Sequence, residues 1–316
     1  MTIVSGRVFC IGEAVLDIIF KNESPVAATP GGSMLNTAVS LGRAGLDVYL
    51  IGDLAGDQAG GIIKDFLEKN GVSTRHVSWH PDGKTSLALA FLDDRNDASY
   101  SFYKIPPSRR LDAEMPAAGQ GDFILFGSYY SLIREVRDRV IPFIRRSRAA
   151  GAFILYDPNF RRPHLAEIER LRPWIEENIG QADLIRGSDE DFLHICRASD
   201  VKEAYAFTSQ AGCSSLVYTR NSRGVEVMTK EQACSFAAPR IVPVSTVGAG
   251  DAFNAGMIHA ACTPSGWLTL TGSPTLTGSL LEPMIATGIR FAANVCQSLE
   301  NYITEDFAKT LKKPVS

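Results

Sequence analysis

The sequence predicts an α/β fold in which short buried strands alternate with helices. Three observations support this prediction: Val8 to Gly12 is a brief apolar run that ends in glycine, Pro30 to Leu46 carries apolar residues at helical spacing, and Val48 to Ile51 is a second brief apolar run. Ile62 to Lys69 then forms the next predicted helix. With 316 residues, of which 45% are hydrophobic, the chain can bury a large core as one domain or two.

Composition and charge exclude several classes of protein. The formal net charge is −3 and the sequence has no long run of Lys or Arg, which argues against nucleic acid or an acidic membrane as a partner. The six cysteines form no CxxC pair, as is typical of reduced thiols in a cytosolic protein. Glu13 and Asp17 interrupt the apolar stretch near the N-terminus, and no cleavage pattern follows. We therefore expect a cytoplasmic protein.

Two consecutive strand patterns interrupt the alternation. Thr85 to Leu92 and Ala98 to Lys104 are separated by the turn-forming residues DDRND, which predicts a hairpin. Glu13 to Phe20 is predicted as a further strand or strand pair. Together these segments, at about residues 13–30 and 84–105, are expected to form a small accessory sheet that covers a ligand held at Gly31 and Gly32.

The alternation resumes after the hairpin and continues to the C-terminal part of the chain. The strand pattern Phe153 to Tyr156 is followed by Asp157, Asn159 and Arg161, at the strand end where open α/β sheets bind ligands. The remaining predicted elements are a strand at Phe123 to Ser128, a helix at Arg134 to Ala149, a strand, turn and helix start at Ala182 to Phe192, two strands in Ser214 to Met228, and a helix at Leu280 to Leu299 after a Thr/Ser/Gly-rich loop at 263–279.

The stretch STVGAGDAFNAG, Ser245 to Gly256, predicts a tight turn that leads into a buried helix. Gly248 and Gly250 flank Ala249, and the first N–H groups of the helix would bind an anion such as phosphate. Asp251 allows two interpretations. It is either an ordinary acidic residue at a helix N-terminus, or a carboxylate that is protonated, binds a metal or faces a hydroxyl whose proton it removes.

Two further polar residues also have a structural and a functional interpretation. Asp17 is either a charge at the rim of the sheet or an acceptor for ligand hydroxyls, and Asn36 is either a helix cap or a donor and acceptor for a sugar. The motifs HExxH, GxSxG and GxGxxG are absent from the sequence. The sequence GKT at Gly83 to Thr85 lacks the preceding glycine of a P-loop.

With these motifs in place, the chain resembles the ribokinase-like (PfkB) carbohydrate kinases over nearly its whole length. PGGSMLN, from Pro30, is similar to the N-terminal signature of that family, and STVGAGDAFNAG is similar to its C-terminal signature. The resemblance implies a single domain over residues 1–316, with a three-layer, doubly wound, mostly parallel sheet, a small β lid, and phosphorylation of a sugar hydroxyl by ATP. GEAVLDII, the hairpin and DPNFR are most similar to bacterial fructokinases.

The resemblance also implies roles for individual residues. Asp251 matches the catalytic base, Gly248, Ala249 and Gly250 match the anion hole, and Arg161 matches a position near the transferred phosphate. The implied contacts to the sugar are Asp17, Gly31, Gly32, Asn36, Tyr103, Asn159 and Asp251. The implied contacts to the nucleotide are Ser188, Thr219, Gly224, Gly248, Gly250 and Asn294, with Mg²⁺ accompanying ATP.

The sequence departs from the family pattern at two places. The C-terminal signature usually begins with Asp, which helps to form a monovalent-cation site, but here the residue is Ser245, so we expect little dependence on potassium. The usual NxxE motif is here Ser188 to Asp191, and we expect Asp191 to reach Mg²⁺ through water.

Three alternatives remain open at this point. The substrate is fructose, or it is another compound such as 2-keto-3-deoxygluconate, ribose or a nucleoside; in the third alternative the chain is a sugar-binding module without catalysis. Because an isolated hairpin is only marginally stable, we also expect a homodimer in which the lids cover each other.

Overall fold

The computed structural model describes residues 6–92, 98–262 and 278–311. Within these ranges, nine strands form one sheet, and β1 (Val8–Ile11) lies inside it. On one side of β1 lie β4 (Val48–Ala55) and then β5 (Val72–His80). On its other side follow, in this order, β8 (Phe123–Gly127), β9 (Phe153–Asp157), β10 (Leu184–Ser188), β11 (Ser215–Thr219), β12 (Val225–Thr229) and β13 (Ala233–Phe236). The strands from β5 through β11 pair in parallel, whereas β12 and β13 pair antiparallel.

Helices cover both faces of this sheet. Val8 and Cys10 of β1 pack in one core and Phe9 and Ile11 in the other, because successive side chains of a strand point to opposite faces. The first core is covered by α1 (Ser33–Arg43), α2 (Gln58–Lys69), α7 (Ala249–Ala261), α8 (Gly278–Cys296) and α9 (Glu305–Leu311). The second core is covered by α3 (Arg134–Ala149), α4 (Ile168–Gln181), α5 (Asp189–Cys196) and α6 (Val201–Gln210). None of the helices in the described ranges has the length and apolar character of a membrane span.

A second sheet of four strands forms the lid. Its order is β3 (Ser24–Gly31), β2 (Val15–Lys21), β6 (Lys84–Leu92) and β7 (Ala98–Ile105). The strands β2 and β6 pair in parallel, and the two outer pairs are antiparallel. The register places Asp17, Ala88 and Phe102 in one cross-strand row, which defines the inner face of the lid. Leu16, Leu87 and Tyr103 form the neighbouring row on the opposite face, which we call the outer face; Leu16 is buried in the first core and Leu87 packs against it, whereas Tyr103 is 60% exposed.

The predicted α/β class, with a mostly parallel main sheet and a small second sheet, is confirmed. The strand predicted at Val48 to Ile51 is longer than expected and continues to Ala55, because β5 pairs with it over that length. The strand β5 was not predicted, and β3 was predicted only as part of the lid segment at about residues 13–30. Both lie at sheet edges, where β3 can contain Pro25 and Pro30 and β5 can carry polar residues. The predicted DDRND turn and residues 263–277 of the predicted loop lie outside the described residues.

Candidate active site

The glycine loop and the start of α7 form an anion site at the carboxyl edge of the main sheet. Gly248 has φ of 79°, and a Cβ there would collide with the backbone of Asn301, so this position requires glycine. The amides of Gly250 and Asp251 donate no hydrogen bond within the described part of the chain. These two N–H groups, at the positive end of the helix, are therefore free to bind an anion.

Asp251 lies in the first turn of α7 and is buried, with 7% of its surface exposed. Ser33 Oγ donates to its Oδ1 at 2.7 Å, and Asn36 Nδ2 donates to its Oδ2 at 2.8 Å. Burial raises the pKa of the Asp251 carboxyl, while these two hydrogen bonds and the positive charge of Arg161 oppose that shift. The carboxylate is thus held beside the anion site by neutral donors, as a proton acceptor should be.

The start of α1 brings the second motif to the same place. Gly32 has φ of 121° and precedes the helix, and a Cβ there would collide with the carbonyl oxygen of Glu13. Asn36 follows one turn later and is buried, and its Oδ1 has no partner among the described residues. Thr37 Oγ1 also donates to the backbone carbonyl of Asp251 at 2.9 Å, so α1 and α7 are joined at the site.

Asp17 lies on β2 of the lid, next to the glycines that precede α1. Its carboxylate lies against Gly31, where a Cβ would collide with Oδ2. Within the described ranges it makes no hydrogen bond or ion pair, and burial raises its pKa to about 6. A half-buried carboxylate without a protein partner fits the predicted role as an acceptor for ligand hydroxyls.

A buried ion pair between Asp157 and Arg186 lies next to the anion site. Arg186 was not among the predicted site residues. Asp157, at the end of β9, is fully buried, and its Oδ2 accepts from Arg186 Nη1 at 3.0 Å and from Asn254 Nδ2 at 2.6 Å. Burial raises the pKa of Asp157, and the charge of Arg186 opposes this most strongly. One signal was available in the sequence: Arg186 is a charged residue within the buried strand LIRGS, and such a charge requires a partner.

Asn159 and Arg161 follow the end of β9 at the carboxyl edge of the sheet. The amide of Asn159 donates to Asp157 Oδ1 at 3.0 Å, and Asn159 has φ of 38°, which tightens the turn. The Arg161 side chain is exposed, and its charge acts on the Asp251 carboxyl. Arg161 is therefore available to an anion bound at the glycine loop.

Several residues predicted to contact the nucleotide form hydrogen bonds within the protein. Ser188 and Asp191 form a capping box at the start of α5, and Asp191 Oδ1 also accepts from the Phe160 amide at 2.6 Å. Thr219 accepts from Arg186 Nη2 at 2.9 Å, while Gly224 separates β11 from β12. Asn294 hydrogen-bonds the backbone and side chain of Thr304. Their contacts to a nucleotide stay predictions.

Two further predictions are affected by the geometry. Among the described residues, no group of three or more His, Cys, Asp or Glu side chains could hold a metal, and both oxygens of Asp191 already accept hydrogen bonds. Tyr103 is on the outer face of the lid, whereas Asp17 is on the inner face. The register therefore does not support the predicted contact between Tyr103 and a sugar held by Asp17, because a shift of one residue reverses the face of a strand.

The fold and the site together define an α/β phosphotransferase with a buried carboxylate beside an anion hole. A family model, described as pfkB family carbohydrate kinase, matches residues 5–304. The chain belongs to this family, and the resemblance found in the sequence is confirmed.

Individual relatives are similar over nearly the whole chain. A fructokinase of Vibrio alginolyticus is 24% identical over 296 residues, which cover 93% of this chain and 92% of that protein. The structure of aminoimidazole riboside kinase from Salmonella enterica, complexed with aminoimidazole riboside and an ATP analog, has a TM-score of 0.80 and 23% identity. The match covers 97% of this chain and 99% of that one. A fructokinase double mutant from Vibrio cholerae O395, bound to fructose, ADP and potassium ion, has a TM-score of 0.84 and 19% identity. The match covers 99% of this chain and 100% of that one.

Proposed function

We propose that this chain is a cytoplasmic kinase that transfers the γ-phosphate of ATP to a hydroxyl of a neutral sugar, with fructose as the first candidate. The observation that carries the proposal is the buried Asp251 carboxylate, which lies directly beside two unpaired backbone amides at the start of α7. A carboxylate repels a phosphate, so its presence at an anion site requires a reason. Removal of a proton from the attacking hydroxyl supplies that reason.

The proposed reaction assigns a role to each group. The sugar hydroxyl loses its proton to Asp251, its oxygen forms a bond to the γ-phosphorus, and the bond from that phosphorus to the bridging oxygen of ADP breaks. The amides of Gly250 and Asp251 receive the phosphoryl oxygens, and Arg161 balances their charge. Asp17 and Asn36 hold other hydroxyls of the sugar, because Asp17 and the Asn36 Oδ1 atom lack partners within the described residues.

We infer that Asp191 contacts Mg²⁺ through water, because its oxygens already accept hydrogen bonds within the protein. Asp191 Oδ2 accepts from the backbone amide of Ser188 at 2.7 Å, and Oδ1 accepts from Phe160. Oδ2 also accepts from Ser188 Oγ at 2.6 Å, so a metal ion bound directly to Oδ2 would compete with the start of α5. Mg²⁺ bound to ATP would neutralise phosphate charge, and the protein residues orient the nucleotide and the sugar.

The charge near the sugar subsite favours a neutral substrate. Burial raises the pKa of Asp17, and Asp17 forms no ion pair within the described ranges. An acidic sugar such as 2-keto-3-deoxygluconate would bring its carboxylate toward the Asp17 carboxylate, and like charges repel each other. Fructose, ribose and a nucleoside all avoid this repulsion. The relatives named fructokinase favour fructose among them.

A coupled assay of ADP release over a panel of substrates tests the proposal. The panel contains fructose, ribose, aminoimidazole riboside and 2-keto-3-deoxygluconate, each with wild-type protein and with Asp251→Asn. Turnover on a neutral sugar that depends on Asp251 supports the proposal. Binding of fructose and a non-hydrolysable ATP analogue in calorimetry, without turnover on any compound, would instead identify a non-catalytic binding module.

We also propose that two copies of the chain pair through the outer faces of their lids. That face carries Ile18, Leu89, Phe20 and Phe91 in consecutive cross-strand pairs, and the rings of Phe20 and Phe91 stack at 5.0 Å. Phe91 is 41% exposed and Tyr103 is 60% exposed. A sheet face of this kind is unusual on a monomer, and a second copy would present the same apolar surface.

Light scattering at micromolar concentration tests the pairing. Phe91→Glu places a charge on the outer face and should convert a dimer into a monomer, because an unpaired charge is costly in an apolar interface. Leu193→Glu is the matched control, since Leu193 is 53% exposed on α5 and lies outside the lid. A wild-type monomer, or equal effects of the two variants, contradicts the pairing.

A further inference from the structure

Arg186 lies directly against the glycine loop. Its side chain is 9% exposed and extends from β10 toward the start of α7. A Cβ added to Gly250 would be 2.8 Å from Arg186 Nη1 and 3.0 Å from Nη2. The guanidinium therefore occupies the space beside the α-carbon of Gly250, whose amide is one of the free donors of the anion hole. Any side chain at position 250 would displace it.

The hydrogen bonds of this guanidinium are incomplete. An arginine has five N–H donors, and within the described ranges Arg186 donates to Asp157 and to Thr219 Oγ1. Its Nε is buried and has no partner in that part of the chain. Its nearest aromatic ring, that of Phe253, has its centroid 5.7 Å from Cζ, which supplies no acceptor atom.

The Asp157 carboxylate, unlike the Arg186 guanidinium, has several hydrogen-bond partners. Besides Arg186, this carboxylate accepts from Asn254 Nδ2 and from the amide of Asn159. Its negative charge is therefore shared among three donors, while Nε of Arg186 has no acceptor in the described part of the chain. The atoms nearest to Gly250 are Nη1 and Nη2, and each carries a second N–H that could donate to an anion bound at the glycine loop.

We propose that Arg186 is a positioning residue for phosphoryl transfer, which fixes Gly250 and adds a buried positive charge beneath the anion hole. This inference rests on the proposed kinase activity and adds a residue to it. Asp157 and Thr219 hold the guanidinium in place, so that no reorganisation is needed when charge develops on the phosphoryl oxygens. Arg161 stabilises charge on the phosphoryl group from the exposed side of the cleft, and Arg186 stabilises it from the side of the main sheet.

Two substitutions separate this role from that of an ordinary buried ion pair. Arg186→Met removes the charge and keeps an unbranched side chain, whereas Arg186→Lys keeps the charge and loses the planar fork. The matched control is Arg137→Met. Arg137 is another buried arginine, which pairs with Glu177 and Asn178 between α3 and α4, outside the glycine loop.

Steady-state kinetics on the folded fraction gives the first measurement. For Arg186→Met we expect kcat to fall by about 10² to 10³, the range known for loss of one oxyanion donor, while the KM for the sugar changes by less than about threefold. Arg186→Lys should recover at least about tenfold of that loss. Arg137→Met should lower the melting temperature without changing kcat. A kcat for Arg186→Met that stays near the wild-type value overturns the proposal.

Calorimetry with nucleotides gives a measurement that needs no sugar. We compare the affinities of ADP and of a non-hydrolysable ATP analogue, whose ratio reports the contribution of the terminal phosphate. This ratio should fall by about tenfold in Arg186→Met and stay constant in Arg137→Met. An unchanged ratio in both Arg186 variants overturns the proposal. If the wild-type protein phosphorylates no compound, the proposed function fails while this ratio still decides the role of Arg186.

Discussion

Replacement of Asp251 by Asn tests the central step of the proposed reaction. The structure shows how the variant can fold: the amide oxygen of the new side chain can accept from Asn36 Nδ2, and its NH₂ group can donate to Ser33 Oγ, because a hydroxyl can also accept. Both contacts of the carboxylate therefore have a neutral equivalent. The change removes the proton acceptor and little else.

The expected loss of turnover is large. General base catalysis contributes about 10² to 10⁴ in rate, which corresponds to about 3 to 5.5 kcal/mol of barrier. Stability should change in the opposite direction. Burial raises the pKa of Asp251 in the folded protein, so its ionisation lowers the free energy of unfolding as the pH rises from the unfolded pKa through the folded pKa. At pH 7 the neutral Asn variant should be at least as stable as the wild type.

Three measurements on one preparation test this reasoning. They are turnover, the affinity for a non-hydrolysable ATP analogue and the melting temperature. We expect low turnover, an affinity that is equal or higher because a negative charge near the phosphates is gone, and an equal or higher melting temperature. Near-normal turnover in the folded variant would remove Asp251 from the mechanism. A fall in turnover with an equal fall in nucleotide affinity would indicate a damaged anion hole.

Further predictions concern pH and cations. Because burial raises the pKa of Asp17 to about 6, the KM for the sugar should rise as the pH falls through this value, when the carboxylate gains a proton and stops accepting from two hydroxyls. Asp17→Asn should raise the KM at pH 7 and remove the rise near pH 6, and a pH profile of KM that is the same in both proteins contradicts this role. Because Ser245 replaces the usual Asp, exchange of sodium for potassium at fixed ionic strength should change turnover only modestly. A stimulation of about tenfold or more would show that a potassium site forms without that carboxylate.

Much of the site could be predicted from the sequence because its chemistry is carried by contiguous residues. The glycines and carboxylate of the C-terminal signature stand next to each other in the chain, so one turn of helix places them together. The pairing of Asp157 with Arg186 joins residues that are 29 positions apart, and its contact with Asn254 spans 97 positions. Such partners depend on the order of strands in the sheet, which local patterns do not encode.

The lid shows a second limit of sequence patterns. The hairpin was predicted, but the face on which Tyr103 lies depends on register, and the register of β6 against β7 shifts between Lys84 and Leu87. A bulge of this kind moves the following residues to the other face. The alternation of apolar and polar residues in β7 could not reveal it, since Phe102 and Tyr103 are both aromatic and both exposed.

The two buried carboxylates near the glycine loop explain why only one of them is suited to accept a proton. Burial raises the pKa of both, but Asp157 has a cation within 3.0 Å, whereas the side chains that donate to the Asp251 carboxylate among the described residues are the neutral Ser33 and Asn36, and Arg161 acts on it without a direct hydrogen bond. Protonation of Asp157 would leave the Arg186 charge buried and unpaired, and such a charge is costly. Protonation of Asp251 relieves a desolvated charge instead. Pairs of carboxylates in different surroundings commonly divide structural and chemical roles in this way, and the same reasoning assigns Asp157 to the framework of the anion hole and Asp251 to the reaction.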